Sequence, residues 1–210
     1  YANEEVRLLG GNEIEFSKFK KTEDSAVLQR LDPAAAQKVY ELDLKENGIE
    51  EYAPFGIVGQ AASGMNSKGQ NPTNGASLPI IYWNGEMTSI ARYPNNDYMR
   101  VDKVLSNGST DNYSEQMSFT VADSRISNWE NADDLWLWGM LRYDWADIHL
   151  PVASVEKDSA TINTKYSCDF GVLSGQKFYV YNVLEELDAP GEWYYDKKSG
   201  KLYMIPLDND

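Results

Sequence analysis

The feature that most constrains this chain is a succession of short, strand-like runs separated by turn residues. The clearest example lies at residues 80–92, where Asn84 and Gly85 interrupt two runs of strand formers; this pair takes the two positive φ values of a type I′ turn at the least cost. Residues 192–196 and 201–205 form a second such pair, joined by four residues that end in glycine. The pattern predicts tight antiparallel hairpins.

Helix signals are brief. Asp32 and Pro33 are a typical N-cap and first helical residue, and residues 34–38 supply good helix formers. Asn182 is expected to cap one further helical turn. Residues 26–31 are interpreted as another strand.

The overall pattern predicts a mainly β fold. Many short strands with only brief helices indicate a sandwich or barrel, and the absence of a repeat of fixed period disfavours a complete β-helix or a propeller. We expect an antiparallel β-sandwich, jelly-roll-like, with one or two short helices. At 210 residues the chain can bury a full core, so residues 1–210 are assigned to a single domain.

The charge balance limits the partners. A formal net charge of −14 repels the phosphate backbone of nucleic acid and anionic membrane surfaces, so neither is expected to bind. The chain also has no apolar run of membrane-spanning length. Its single cysteine, Cys168, has no intramolecular partner and is interpreted as a buried, small apolar side chain.

Groups for catalysis are few apart from carboxylates. His149 is the only histidine, lacks the spacing of a metal or nucleophile motif, and is interpreted as structural. Acidic residues cluster at residues 185–196, and Asp144 and Asp147 flank a tryptophan. Paired carboxylates suffice for glycoside hydrolysis, but capping of turns and exposure to water are the favoured interpretation. No catalytic residue is assigned.

A metal site is left unassigned. Asp123, Asp133 and Asp134 supply hard oxygen ligands that suit calcium, although no EF-hand loop is present. No cofactor is required, and calcium is kept as an option.

Aromatic residues give the sharper functional hypothesis, because the apolar face of a sugar ring stacks on Trp or Tyr while nearby polar groups pair with its hydroxyls. The candidate carbohydrate-binding residues are Trp83, Arg92, Trp136, Trp138, Trp193 and Tyr195. Strand alternation places Trp136 with Trp138 on one face and Trp193 with Tyr195 on another. Trp83, at a hairpin tip, is expected to be the most accessible tryptophan. Two interpretations of the Trp136 and Trp138 indoles compete: a core or interface, or a stacking platform.

A resemblance adds a context. The string NVLEELDAPGEWYYDKKSGKLYMIP at residues 182–206, with stretches at residues 6–11, 83–95, 136–139 and 144–147, resembles a segment of extracellular carbohydrate-active proteins built on a right-handed parallel β-helix. Some of their glycoside hydrolase families carry a β-sandwich domain inserted into an early rung of that helix. The resemblance implies such an insertion domain without its catalytic β-helix, with ends, about residues 1–15 and 200–210, that belong to the parent.

Three functional interpretations follow. The first is a non-catalytic, carbohydrate-associated domain or binding module of an extracellular or cell-surface bacterial protein that degrades polysaccharides. Its partners would be a polysaccharide or oligosaccharide and the parent β-helix. The second is a purely structural insertion without a ligand, and the third is a small glycoside hydrolase or lyase that uses paired carboxylates.

Overall fold

The computed structural model describes residues 10–50, 55–73, 78–129 and 134–207. The strands are β1 (Lys20–Lys21), β2 (Tyr40–Asp43), β3 (Tyr82–Trp83), β4 (Glu86–Met87), β5 (Ser89–Ile90), β6 (Arg92–Tyr93), β7 (Met99–Asn107), β8 (Met117–Val121), β9 (Trp136–Gly139), β10 (Ile148–Glu156), β11 (Thr161–Thr164), β12 (Lys177–Tyr181), β13 (Glu192–Asp196) and β14 (Lys201–Met204). The helices are α1 (Ser25–Leu28), α2 (Pro33–Ala36) and α3 (Ser63–Ser67), with 3₁₀ turns at Phe16–Lys18, Gln60–Ala62, Ser124–Asn128 and Leu184–Glu186. Within these ranges the fold is mainly β, as predicted.

Six strands close into an antiparallel barrel in the order β12, β7, β8, β11, β10, β9 and back to β12. The barrel closes because β12 pairs along both edges: Phe178 lies opposite Met99 of β7 on one side and Gly139 of β9 on the other. β6 pairs further along β12. The predicted β-sandwich of jelly-roll type is therefore wrong, since one sheet curls round on itself where a sandwich would pack two sheets face to face.

Packing explains the closure. A Cβ on Gly139 would lie 2.9 Å from the Cβ of Phe178, so glycine permits β9 and β12 to approach each other. Inside the barrel, Phe119 and Phe178 meet edge to face with ring centroids 5.3 Å apart, and Leu137 and Ile162 are fully buried. Closing the sheet removes its free edges, and a barrel this narrow is filled by side chains alone.

A second sheet, of five strands, lies beside the barrel in the order β1, β2, β14, β13, β5. Its pairs are antiparallel except for β13 with β5, which are parallel. Both of its faces are covered: one cluster of buried residues includes Tyr194 and Tyr203, and another includes Trp193 and Tyr195. Phe55 packs against both the second cluster and the barrel core, so the two sheets share a contact layer.

The hairpin predictions are confirmed. β3 and β4 flank Asn84 and Gly85, whose φ values of 48° and 86° are those of the expected turn. β13 and β14 pair across the predicted four-residue turn, in which Gly200 has a φ of 73°. A small side chain and a tolerance of positive φ are local properties, which is why the sequence reveals them.

The helix predictions have mixed outcomes. α2 is confirmed, with Asp32 Oδ1 accepting a hydrogen bond from the backbone N–H of Ala34 at 2.8 Å. Residues 26–31 were wrongly assigned as a strand; α1 occupies their first half because Asp24 Oδ1 accepts from the N–H of Ala26. The helical cap predicted at Asn182 is also wrong. Its side chain accepts from the N–H of Tyr195 and donates to the Tyr195 carbonyl, so it fastens β13 in place.

Other sequence predictions concern buried groups and the ends. Cys168 is buried as predicted, and burial raises the pKa of its thiol to about 11. Nowhere in the described ranges is a helix long and apolar enough to cross a bilayer. Residues 1–9, 51–54, 74–77, 130–133 and 208–210 lie outside those ranges. The assignment to a single domain, with ends that belong to a parent β-helix, stays a prediction.

Candidate functional site

A group of aromatic side chains lies on the outer surface of the barrel where β9, β10 and β12 run side by side. Strand alternation sends Leu137 and Phe178 into the barrel, where both are fully buried. Trp138 points outwards, with Tyr179 opposite it on β12 and His149 opposite it on β10. Three neighbouring strands thus present one row of rings.

The rings form a compact stack. Trp138 and Tyr179 have centroids 5.2 Å apart and planes inclined by 25°. Tyr98, from the connection between β6 and β7, lies 5.8 Å from Trp138 and 6.2 Å from Tyr179 and is 40% exposed. The Nε1 of Trp138 donates to Oδ2 of Asp147 at 3.4 Å. We call Tyr98, Trp138 and Tyr179 the outer aromatic cluster.

Arg92 joins this cluster from β6. Its Cζ lies 3.6 Å from the ring centroid of Tyr179 and 6.0 Å from that of Tyr98. Nε donates to the carbonyl of Pro94 at 2.9 Å, and Nη2 donates to the carbonyl of Asp97 at 2.8 Å. Burial lowers the pKa of the Arg92 guanidinium, which nevertheless remains charged near neutrality because an arginine side chain titrates far above pH 7.

A cleft of about 250 Å³ adjoins the outer aromatic cluster. Barrel residues Tyr179, Tyr181 and His149 line it together with Ile80 and Met87, which lie at the base and on the second strand of the β3–β4 hairpin. His149 Nδ1 lies 3.1 Å from the hydroxyl of Tyr181. Desolvation lowers the pKa of His149 to about 4, so its ring is neutral at pH 7 and structural in its contacts.

Two of the predicted carbohydrate-binding residues, Arg92 and Trp138, therefore meet at one accessible surface. Trp136 is more deeply placed: its ring packs on Phe55 at 5.8 Å and on Tyr181 at 6.4 Å. The structure thus assigns the interior role to Trp136 and a half-exposed position to Trp138, although the two share a face.

The other predicted residues lie beside the five-stranded sheet. Trp193 is 3% exposed and lines the inner end of the cleft, and no acceptor for its indole N–H is found among the described residues. Tyr195 is buried in the same cluster. Trp83 is half-buried, with edge contacts to Phe16 at 5.0 Å and Phe19 at 6.4 Å. Binding by these three residues stays a prediction.

Some functional candidates were missed by the sequence analysis. Tyr98 and Tyr179 complete the outer aromatic cluster. Alternation along β12 predicts that Tyr179 and Tyr181 share a face, but it cannot predict the contact of Tyr179 with Trp138 on another strand. Trp145, and not Trp83, is the most accessible tryptophan, with 63% of its surface exposed. It stacks on Tyr143 at 5.5 Å, and Phe170 supports both rings from the side.

The acidic cluster at residues 185–196 makes contacts inside the fold. Glu186 is fully buried and accepts from Arg125 Nε at 2.9 Å and from Trp129 Nε1 at 2.7 Å. Glu185 accepts from Arg30 Nε at 2.7 Å. These bonds give both carboxylates a structural role, although Oε2 of Glu185 has no hydrogen-bond partner among the described residues.

Glu192, at the start of β13, is also buried. Its Oε2 accepts from the backbone N–H groups of Asp188 and Ala189, each at 3.0 Å. Desolvation outweighs these two bonds and raises the pKa of the carboxyl to about 7. A buried acid with such a pKa links the stability of this turn to pH.

Metal ligation finds no support in the described part of the chain, where no group of three or more His, Cys, Asp or Glu side chains is arranged to hold an ion. Asp123, one of the calcium candidates, accepts from the Tyr93 hydroxyl at 2.7 Å and caps the 3₁₀ turn at Ser124–Asn128. Asp134 lies just before β9 and lines a smaller, separate cavity. Asp133 lies outside the described residues.

Comparisons with known proteins support the fold. No family model and no curated protein matches the chain. Among solved structures, a protein described as a glycoside hydrolase superposes with a TM-score of 0.50 at 17% sequence identity, over 82% of this chain and 27% of that one. At this identity the likeness concerns the fold alone, and the chain spans little more than a quarter of that protein. The fold is thus similar to that of part of a glycoside hydrolase.

Proposed function

We propose that this chain is a non-catalytic, carbohydrate-associated domain of an extracellular or cell-surface polysaccharide-degrading protein. It binds a polysaccharide or oligosaccharide at the outer aromatic cluster, beside the cleft. The observation that carries the proposal is the stack of Trp138, Tyr179 and the exposed Tyr98 on the barrel surface. The fold shared with part of a glycoside hydrolase supports the same context.

The chemistry of the surface suits a sugar. Planar rings offer the apolar faces on which sugar C–H groups stack, and their mutual contacts hold them in place before a ligand arrives. Asp147 and Arg92, which border the rings, offer an acceptor and several donors for hydroxyl groups. The adjoining cleft has room for part of a chain that runs past the stack.

The test is a panel of plant and animal polysaccharides screened by affinity electrophoresis and calorimetry. We expect binding of at least one polymer, and we expect Trp138→Ala and Tyr179→Ala to abolish it. Tyr40→Ala is the matched control, because Tyr40 also carries a cation over its ring, Lys21 at 4.3 Å, but lies on β2 in the other sheet. Loss of binding in all three variants, or in none, would contradict the proposed surface.

A second candidate is a purely structural insertion without a ligand. The observation that favours it is the exposed apolar face of the β3–β4 hairpin, where Tyr82 and Met87 lie directly opposite each other and Ile80 precedes them. Such a face is typical of a surface covered by another part of a longer protein. It predicts that the panel shows no binding and that a longer segment of the parent protein protects the hairpin amides from hydrogen exchange.

A separate assay tests whether this chain is itself an enzyme. Reducing-sugar release that survives stringent purification, and that is lost when one carboxylate is changed to its amide, would replace the binding proposal with an enzymatic one.

A further inference from the structure

Positive charge collects around the outer aromatic cluster although the chain as a whole carries a net charge of −14. Arg92 lies over the ring of Tyr179 and near that of Tyr98. Lys177 Nζ lies 5.2 Å from the ring centroid of Tyr98, and Lys177 and Arg100 are opposite each other on β12 and β7. Alternation along β12 turns Lys177 to the same outer face as Tyr179.

These cations are not neutralised by neighbouring acids. In the described ranges, none of the three forms an ion pair within 4.0 Å. Arg92 uses two of its five N–H groups on backbone carbonyls, and Arg100 uses Nη1 on the carbonyl of Gly175. Arg92 and Arg100 therefore keep N–H groups that can still donate, and all three cations keep their positive charge at the surface.

The acids near these cations accept their hydrogen bonds from other groups. Asp147, at the edge of the outer aromatic cluster, accepts from the N–H of Gln60 and from Nε1 of Trp138. The carboxyl group of Glu192 acts to raise the pKa of Arg92, but it is buried and its Oε2 accepts from two backbone N–H groups. Asp97 Oδ1 accepts from the N–H of Tyr98, and Asp102 Oδ2 accepts from the Thr120 hydroxyl. A half-buried cation without a counter-ion is costly, so Arg92 beside the ring stack is suited to a ligand that supplies the opposite charge.

We propose that the sugar bound at the outer aromatic cluster carries an anionic group, a carboxylate or a sulfate, held by Arg92 and Lys177 while the ring stacks on Tyr98 and Tyr179. This inference rests on the proposed carbohydrate binding and specifies its ligand as an acidic glycan. The overall negative charge opposes such a ligand at long range, but salt screens that repulsion beyond about 10 Å, whereas contact with Arg92 is direct.

The experiment compares polymers that differ only in charge. Polygalacturonate is tested against the same polymer with methyl-esterified carboxyl groups, and dextran sulfate against dextran, by calorimetry on the whole chain. We expect one charged polymer to bind at least about tenfold more tightly than its neutral counterpart, with an advantage that shrinks in roughly 0.5 M salt. The pair that shows the difference identifies carboxylate or sulfate as the recognised group.

Two variants locate the charge. Lys177→Gln is expected to weaken binding of the charged polymer by about tenfold and to leave binding of the neutral one unchanged. Arg92→Lys, at a residue that also offers donors to sugar hydroxyl groups, is expected to weaken binding of both polymers and of the charged one more. Lys165→Gln is the control, since Lys165 also lies over a tyrosine, Tyr166 at 5.9 Å, on a different part of the barrel. Circular dichroism confirms that each variant folds.

The outcomes separate this inference from the proposed function. Equal affinity for charged and neutral polymers, or charged binding that Lys177→Gln and Lys165→Gln reduce equally, overturns the anionic ligand but keeps carbohydrate binding. Failure to bind any polymer in the panel overturns both.

Discussion

Two strands of this protein carry the same arrangement of alternate aromatic residues, but a tryptophan in one strand is accessible and a tryptophan in the other is not. In β9, Trp138 stands on the outer face of the barrel, half-exposed and stacked on Tyr179. In β13, Trp193 lies in a sheet covered on both faces and is 3% exposed. Alternation therefore shows which side chains share a face, but the packing of other elements decides whether that face is accessible.

The largest expected effect is the difference in stability lost when each of these two tryptophans is removed. Trp193→Ala removes a buried indole from a packed cluster and should lower the free energy of unfolding by about 3–5 kcal/mol. Trp138→Ala, which removes a half-exposed ring, should cost about 1–2 kcal/mol. Urea unfolding followed by circular dichroism measures both. Equal losses would mean that the two strands are covered to the same extent.

A smaller effect concerns the pH dependence of stability. Each of the two regions holds a buried titratable group, and the two groups change the free energy of unfolding with pH in opposite directions. The pKa of Glu192, next to Trp193, rises from 4.5 to about 7 on folding. Its contribution to stability is complete below pH 4.5 and is lost as the pH rises through about 7, which amounts to roughly 3 kcal/mol. Glu192→Gln, whose amide oxygen can still accept from Asp188 and Ala189, should remove this fall in stability.

His149, opposite Trp138 on the barrel, provides the reverse trend. Its pKa falls from 6.5 to about 4 on folding, so its contribution is present above pH 6.5 and is lost as the pH falls through about 4. Unfolding free energies measured from pH 4 to 8 should therefore increase with pH more steeply in Glu192→Gln than in the native chain. The free energy of unfolding of His149→Gln should decrease with pH more steeply than that of the native chain. Profiles parallel to that of the native chain would show that neither group shifts on folding.

The smallest expected effect is the loss of stability on removing an exposed tryptophan. Trp145→Ala removes a tryptophan that is 63% exposed, and we expect the unfolding free energy to change by less than about 1 kcal/mol. Thermal unfolding of this variant beside Trp193→Ala compares the same residue type in two environments. A loss as large as that of Trp193→Ala would show that the stack with Tyr143 and Phe170 contributes to the core.

Local features of the fold were predictable because neighbouring residues determine them. The Asn84–Gly85 turn, the hairpin ending at Gly200 and the Asp32 cap each depend on a few adjacent residues. The same kind of reasoning failed at Asn182, whose side chain bonds to Tyr195, thirteen positions further along. Of the site, Arg92 and Trp138 were predicted, but Tyr98 and Tyr179 were not, since their contact with Trp138 joins separate strands.

The sequence by itself determined that the chain is mainly β, where its tight turns lie, and that its aromatic residues alternate along strands, since backbone propensity and side-chain period act over a few residues. Only the tertiary structure decided that the sheet closes into a barrel and which rings remain accessible. Closure depends on β12 pairing with β9 and β7, which lie far from it in the chain, and accessibility depends on what packs over each face. Long-range pairing and coverage are properties of the whole packed molecule, so no local pattern contains them.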